Sequence, residues 1–137
     1  MRSTQCGTIS ELTAMRYYVE QGYSLFLPYD HDTSVDFIAQ RGTQMIRVQV
    51  KTATTRRNNG CSYLGAEVAG YKPEDFDELF VVDTRNVRMW RIPWATLGLK
   101  AELITLNRVD SDGRPRPYAK RSPKRIDTDQ WRVDAPD

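Results

Sequence analysis

Apolar residues Ile9, Leu12, Met15 and Val19 recur at spacings of three and four, which predicts one buried stripe of an amphipathic helix from Thr8 to about Gly22. Gly22 supplies a natural stop. "YSLFLP" then reads as a short strand ended by Pro28, and "YDHDTS" as a polar turn. "VDFIA" and "MIRVQVK" are two strands joined by "QRGT", with Gly42 at the tip of the turn. Side chains alternate along a strand, so Met45, Arg47, Gln49 and Lys51 share one face, and Ile46, Val48 and Val50 the other. "TATTRRNNG" lacks apolar anchors and reads as a polar loop. "CSYLGAEVAG" adds a short strand, "KPEDF" a turn, "LFVVD" and "VRMWRIP" two more strands, and "PWATLGL" a short helix beginning at Pro93. "ELITLNRV" is expected as a last edge strand.

This order predicts an α/β (mixed α+β) domain with a central mixed sheet flanked by helices, its first three strands forming a meander. Beyond Asp110 the rhythm fails, and three prolines between Arg114 and Pro123 forbid a continuing helix or strand. The expected division is a core over residues 1–110 and a basic, proline-containing arm over 111–137, both part of one unit. Trp131 is expected to dock the arm's end.

Length and composition sharpen this picture modestly. A chain of 137 residues suits one domain with a real core. No apolar run approaches the roughly 20 residues a membrane span needs, and "MRSTQCGTISELTAMRYY" has no secretory apolar core, so no membrane and a cytoplasmic location are expected. Cys6 and Cys61 stand far apart without metal-ligand spacing and are expected as reduced thiols. His31, with no second histidine in the chain, is expected on an exposed turn.

The net charge of +2 hides an uneven distribution. Arg41, Arg47, Lys51, Arg56 and Arg57 fall between Arg41 and Gly60 without one acid, and "RPRPYAKRSPKR" carries Arg114, Arg116, Lys120, Arg121, Lys124 and Arg125. Two basic segments on a nearly neutral chain point to a polyanionic partner held by particular surfaces. Arg56, Arg57, Asn58 and Asn59 are residue types that contact phosphates or read base edges, and the arm can track a backbone. About six phosphate contacts would give a log-log salt slope near −5.

Asp36, Gln49 and Lys51 are the candidate chemistry. Metal-assisted phosphodiester cleavage needs hard oxygen ligands, a cation for the developing charge, and an activated water. Asp36 can supply an anionic ligand, Gln49 and the Val50 carbonyl neutral ones, and Lys51 the cation. On residue pattern alone, the wet face of an ordinary hairpin remains open beside this reading. Glu11 has two readings also: Thr8-x-x-Glu11 fits a helix capping box, and the carboxylate is equally available to a metal.

The Asp36…Gln49-x-Lys51 pattern, within the helix and strands of residues 7–53, resembles the PD-(D/E)xK nuclease superfamily. It is most similar to group I intron-encoded homing endonucleases, and also to archaeal Holliday-junction resolvases. "FDELFVVD" and "VRMWRIPW" fit the core strands that follow in such proteins, so the resemblance implies a restriction-endonuclease-like core. It implies Asp36 as metal-binding acid, Gln49 at the second ligand position, Lys51 as catalytic lysine and Glu11 as the helix glutamate that assists the metal. The expected cofactor is Mg²⁺ or Mn²⁺. The expected activity is site-specific double-strand DNA cleavage of the intron homing type by a homo-oligomer, dimer or tetramer. Gln in place of an acid at 49 departs from the usual motif, weakens the metal's hold and favours the homing branch over the resolvase branch. A structure-selective resolvase and a non-cleaving DNA-binding module on a nuclease scaffold are the alternatives.

Overall fold

The computed structural model describes residues 3–58, 61–97, 103–106, 108–109, 115–116 and 128–134. Helix α1 spans Ser3–Glu20, followed by strands β1 (Ser24–Phe26), β2 (Phe37–Arg41), β3 (Gln44–Thr52), β4 (Thr54–Asn58), β5 (Cys61–Glu67), β6 (Glu78–Asp83) and β7 (Arg88–Pro93). A 3-10 turn at Trp94–Leu97, strands β8 (Leu103–Leu106), β9 (Arg108–Val109) and β10 (Pro115–Arg116), and a 3-10 turn at Thr128–Trp131 complete it.

The main sheet has the order β1-β2-β3-β6-β7. Its first three strands are the expected antiparallel meander, and β3 pairs β6 in parallel with Gln49 opposite Leu79 and Lys51 opposite Val81. The α/β class with a central mixed sheet is therefore what the chain builds. β2 and β3 are joined by only Gly42 and Thr43, and Gly42 adopts φ 63°, a first loop position that glycine fills without strain.

The sheet is covered on both faces, and this sets the environment of the site. On one face α1 packs Ala14 and Tyr18 against Phe37, Ala39, Ile46, Val48, Val50, Phe80 and Val82. On the other, the smaller sheet β4-β5-β8 contributes Leu64, Ala66 and Leu106 to a core with Leu79, Val81, Trp90, Ile92, Phe76 and Trp94. Double coverage explains why β6 is a continuous apolar run rather than an alternating one.

Three expectations change. The helix begins at Ser3, so Thr8 is an interior residue whose hydroxyl donates to the Thr4 carbonyl (3.1 Å), and no capping box forms. Of the predicted stripe, Ile9, Leu12 and Val19 face outward, at 39%, 60% and 56% exposure, while Met15 is partly buried against the core. The helix buries Ser10, Ala14 and Tyr18 instead, because the aromatic ring of Tyr18 fills the space between Tyr23, Phe37 and Phe80. Finally, Thr54–Asn58 is a strand and not a loop: ladder pairing with β5 holds it where apolar anchors are missing.

The chain's end returns to the sheet. Trp131 packs on the core, the Val133 N–H donates to the Met89 carbonyl, and the Met89 N–H donates to Asp134. Among the described residues no helix is long and apolar enough to cross a membrane.

Candidate functional site

Asp36 stands immediately before β2, and its backbone N–H donates to the Val48 carbonyl, which fixes it beside the middle of β3. Its Oδ2 accepts the backbone N–H of Val50 at 2.7 Å. Two residues along that strand, Gln49 and Lys51 lie on the face opposite Val48 and Val50, as alternation requires. This face is not the open surface of a hairpin, since Gln49 is only 7% exposed. The Gln49 Nε2 donates to the Val50 carbonyl (3.1 Å), the same oxygen that sequence reasoning offers as a neutral ligand.

Glu11 reaches the site from the helix. Its side chain hydrogen-bonds that of Asp36, which leaves the helix glutamate facing the acid of β2 rather than the helix end. Burial pushes the Glu11 carboxyl above its ordinary value, and the nearby Asp36 charge and the shared hydrogen bond add to this. Burial also raises Asp36, opposed by the Val50 N–H, the Lys51 charge and the bond from Glu11. Of the two acids, Asp36 is the one whose ionised form is favoured by a backbone N–H and by the nearby Lys51 charge.

The helix is locked beside this pair by a second polar contact. The Ser10 and Thr52 hydroxyls lie 2.6 Å apart, and Thr52 Oγ1 also donates to the Cys6 carbonyl (3.5 Å). Ser10 is buried. A one-turn slide of α1 would break this link and carry Glu11 away from Asp36.

Among the described residues no three His, Cys, Asp or Glu side chains cluster as a metal site. The donor set is two carboxylates that repel when both ionise, an amide, and the main-chain oxygen of Val50. Hard oxygens with surplus negative charge fit a hard divalent cation, and such an ion would relieve the repulsion between Glu11 and Asp36.

The remaining candidates divide. Arg56, Arg57 and Asn58 lie on β4, opposite Tyr63, Ser62 and Cys61, and Arg116 lies on β10. Asn59, Arg114, Lys120, Arg121, Lys124 and Arg125 lie outside the described residues. Two residues of the first basic segment have structural partners: Arg47 forms a fork to Asp77 (3.1 Å), and Arg41 donates to the Gln21 carbonyl while stacking on Tyr23. His31 is exposed on a bend, as expected. Sequence reasoning missed Tyr71, whose ring lies 5.0 Å from the Lys51 ammonium nitrogen, and the Ser10–Thr52 link. Neither carries a spacing signal, because each joins segments far apart in the chain.

An acid just before one strand, a lysine on the next and a glutamate from the preceding helix thus come together on a mixed sheet of this order. The family model of the PD-(D/E)XK endonucleases matches residues 1–114, and the chain belongs to that family of DNA-cutting enzymes. It is 30% identical over 86 residues to Protein 5.3 of Escherichia phage T7, an alignment covering 59% of this chain and 73% of that protein. In fold it is similar to the bacterial homing endonuclease I-Ssp6803I, with a TM-score of 0.72 over 96% of this chain and 86% of that one, at 17% identity. The restriction-endonuclease-like core expected from sequence is thereby shown.

Proposed function

We propose that this endonuclease is a site-specific enzyme of the homing type that cuts both strands of duplex DNA with Mg²⁺ or Mn²⁺. The observation that carries this reading is the convergence of Asp36, Glu11, Gln49, the Val50 carbonyl and Lys51 at one place on the sheet. A bound divalent ion supplies charge neutralisation at the phosphate and lowers the pKa of a coordinated water. Asp36 would offer carboxylate oxygen to that ion, with the Glu11 carboxylate beside it. Turning the Gln49 amide over would exchange Nε2 for Oε1 and release the Val50 carbonyl, so that both oxygens could hold the ion as neutral ligands. Lys51 lies beside them as the cation for the charge that develops on the phosphate.

Likeness in fold to a bacterial homing endonuclease supports the homing type. The neutral residue at 49 agrees with it. Arg56, Arg57 and Asn58 follow Lys51 on the next strand and, with the basic arm, supply the duplex contacts. Each chain presents one site, so cutting two strands takes at least two copies. The outward residues Ile9, Leu12 and Val19 are one described apolar surface suited to a second copy.

The test uses duplex libraries and four-way junctions, each incubated with Mg²⁺ or with EDTA. Sequence-dependent double-strand cutting that EDTA abolishes is the expected result. Junction cutting without sequence preference would instead favour a resolvase, and binding without cutting a non-cleaving module. Asp36→Asn and Lys51→Ala should abolish cutting while folding and DNA binding persist. Native-rate cutting by either variant refutes the site.

A further inference from the structure

A lysine side chain is a flexible four-carbon stem carrying a strongly hydrated charge, so a catalytic lysine needs something to hold it. Among the described residues, no hydrogen bond or ion pair fixes the Lys51 ammonium; its nitrogen instead sits 5.0 Å from the centre of the Tyr71 ring. That ring is itself held from behind. It meets Phe76 edge-on (5.3 Å, 78°) and Trp94 edge-on (6.3 Å, 86°), and both of these are fully buried. The loop carrying it is braced as well. Gly70 takes φ 85°, the Tyr71 N–H donates to the Val68 carbonyl, Trp94 Nε1 donates to the Lys72 carbonyl (2.8 Å), and the Lys72 N–H donates to Asp75 (2.8 Å).

We infer that Tyr71 is a positioning residue for Lys51: its ring face holds the ammonium at the site without neutralising it. A carboxylate in this place would cancel the charge, and a carbonyl or hydroxyl would occupy one of the three N–H donors. A π face attracts the cation and leaves all three donors for phosphate oxygens or water. The arrangement also explains why a half-buried aromatic ring lies beside an otherwise polar site.

This role rests on the nuclease reading, and the experiment separates the two. The full chain is prepared as wild type, Tyr71→Phe, Tyr71→Leu, and with mono-, di- and trifluorinated phenylalanine at position 71. A ring keeps the shape of the site, while fluorine progressively removes the negative face that holds a cation. Single-turnover cleavage is measured on a duplex drawn from the cleaved fraction of a library, with duplex affinity measured in parallel. Carbon-13-labelled lysine reports the ring-current shift of the Lys51 ε-methylene in the metal-free protein.

Tyr71→Phe should retain the upfield shift and near-native cutting, whereas Tyr71→Leu should lose the shift and cut about 3- to 30-fold more slowly. The fluorinated series should fall stepwise between them at unchanged duplex affinity. Equal rates across that series, or a shift that survives in Tyr71→Leu, overturn the role of Tyr71 while the nuclease reading stands. A wild type that cuts no duplex removes the nuclease reading itself, and the role of Tyr71 with it.

Discussion

The substitution Gln49→Glu restores the acid usual at its position and should make the metal-free protein less stable while tightening its hold on a divalent ion. In the structure the Gln49 amide donates to the Val50 carbonyl at 3.1 Å in a place only 7% exposed. An ionised glutamate cannot donate. Loss of that bond costs about 1 kcal/mol, and a buried carbonyl left facing a carboxylate adds about 1–2 kcal/mol more. At about 2.1 cal/mol/K of unfolding entropy per residue, a chain of 137 residues loses about 3.5 °C of Tm per kcal/mol. The expected fall in EDTA at neutral pH is therefore about 7–10 °C. Acidification should shrink the gap, because a protonated carboxyl can donate to the carbonyl again. Titrating Mg²⁺ into both proteins in a thermal melt should raise the variant's Tm more steeply, since three carboxylates then face one ion. An EDTA melt no lower than wild type, or an equal Mg²⁺ response, refutes the claim that the neutral amide stabilises the empty site.

Three further outcomes follow from the same structure. The raised Glu11 pKa means its contribution to stability is complete below the unfolded value, near 4.5, and is lost as pH rises through the folded one; Glu11→Gln should therefore gain Tm over wild type between pH 4.5 and 7.5 in EDTA, and an unchanged difference would refute it. Asp83 and Arg88 form a buried pair (3.1 Å, side chains 2% and 3% exposed), so Asp83→Ala should cost about 3–5 kcal/mol by urea denaturation, against far less for Asp83→Leu combined with Arg88→Met. Duplex affinity should fall with salt at a log-log slope near about −5, and a flat response would remove the basic segments as phosphate contacts.

Much of the site was legible because strand alternation is a local rule. Gln49 and Lys51 two residues apart had to share a face, and Asp36 at the start of a neighbouring strand had to lie close to them. The helix was legible in extent near Gly22 but not in orientation. Its apolar stripe, Ile9, Leu12, Met15 and Val19, is the more hydrophobic face by composition, yet only Met15 of it packs on the core; Tyr18 and Ala14 fit the sheet better in shape, and the hydroxyl of Tyr18 finds Glu78 at 2.9 Å. Packing geometry decided what hydropathy could not. Strand β4 escaped for a related reason: its support is a ladder to β5, which residue types do not encode. Tyr71 was legible only as an aromatic residue, since its partner Lys51 is brought near by the fold rather than by spacing.

Asp36 is tied to the backbone of β3 through the Val50 N–H, whereas no described hydrogen bond holds the Lys51 ammonium. The two residues should therefore age differently in a gene that has ceased to be selected for cutting. Drift can erase the lysine without disturbing the sheet, but a residue without a side-chain oxygen at 36 deprives the Val50 N–H of that acceptor. Under the proposed mechanism, an oxygen-bearing side chain at 36 should outlast cutting because the strand still uses it, and the lysine should be the earlier loss in a lineage that no longer cuts.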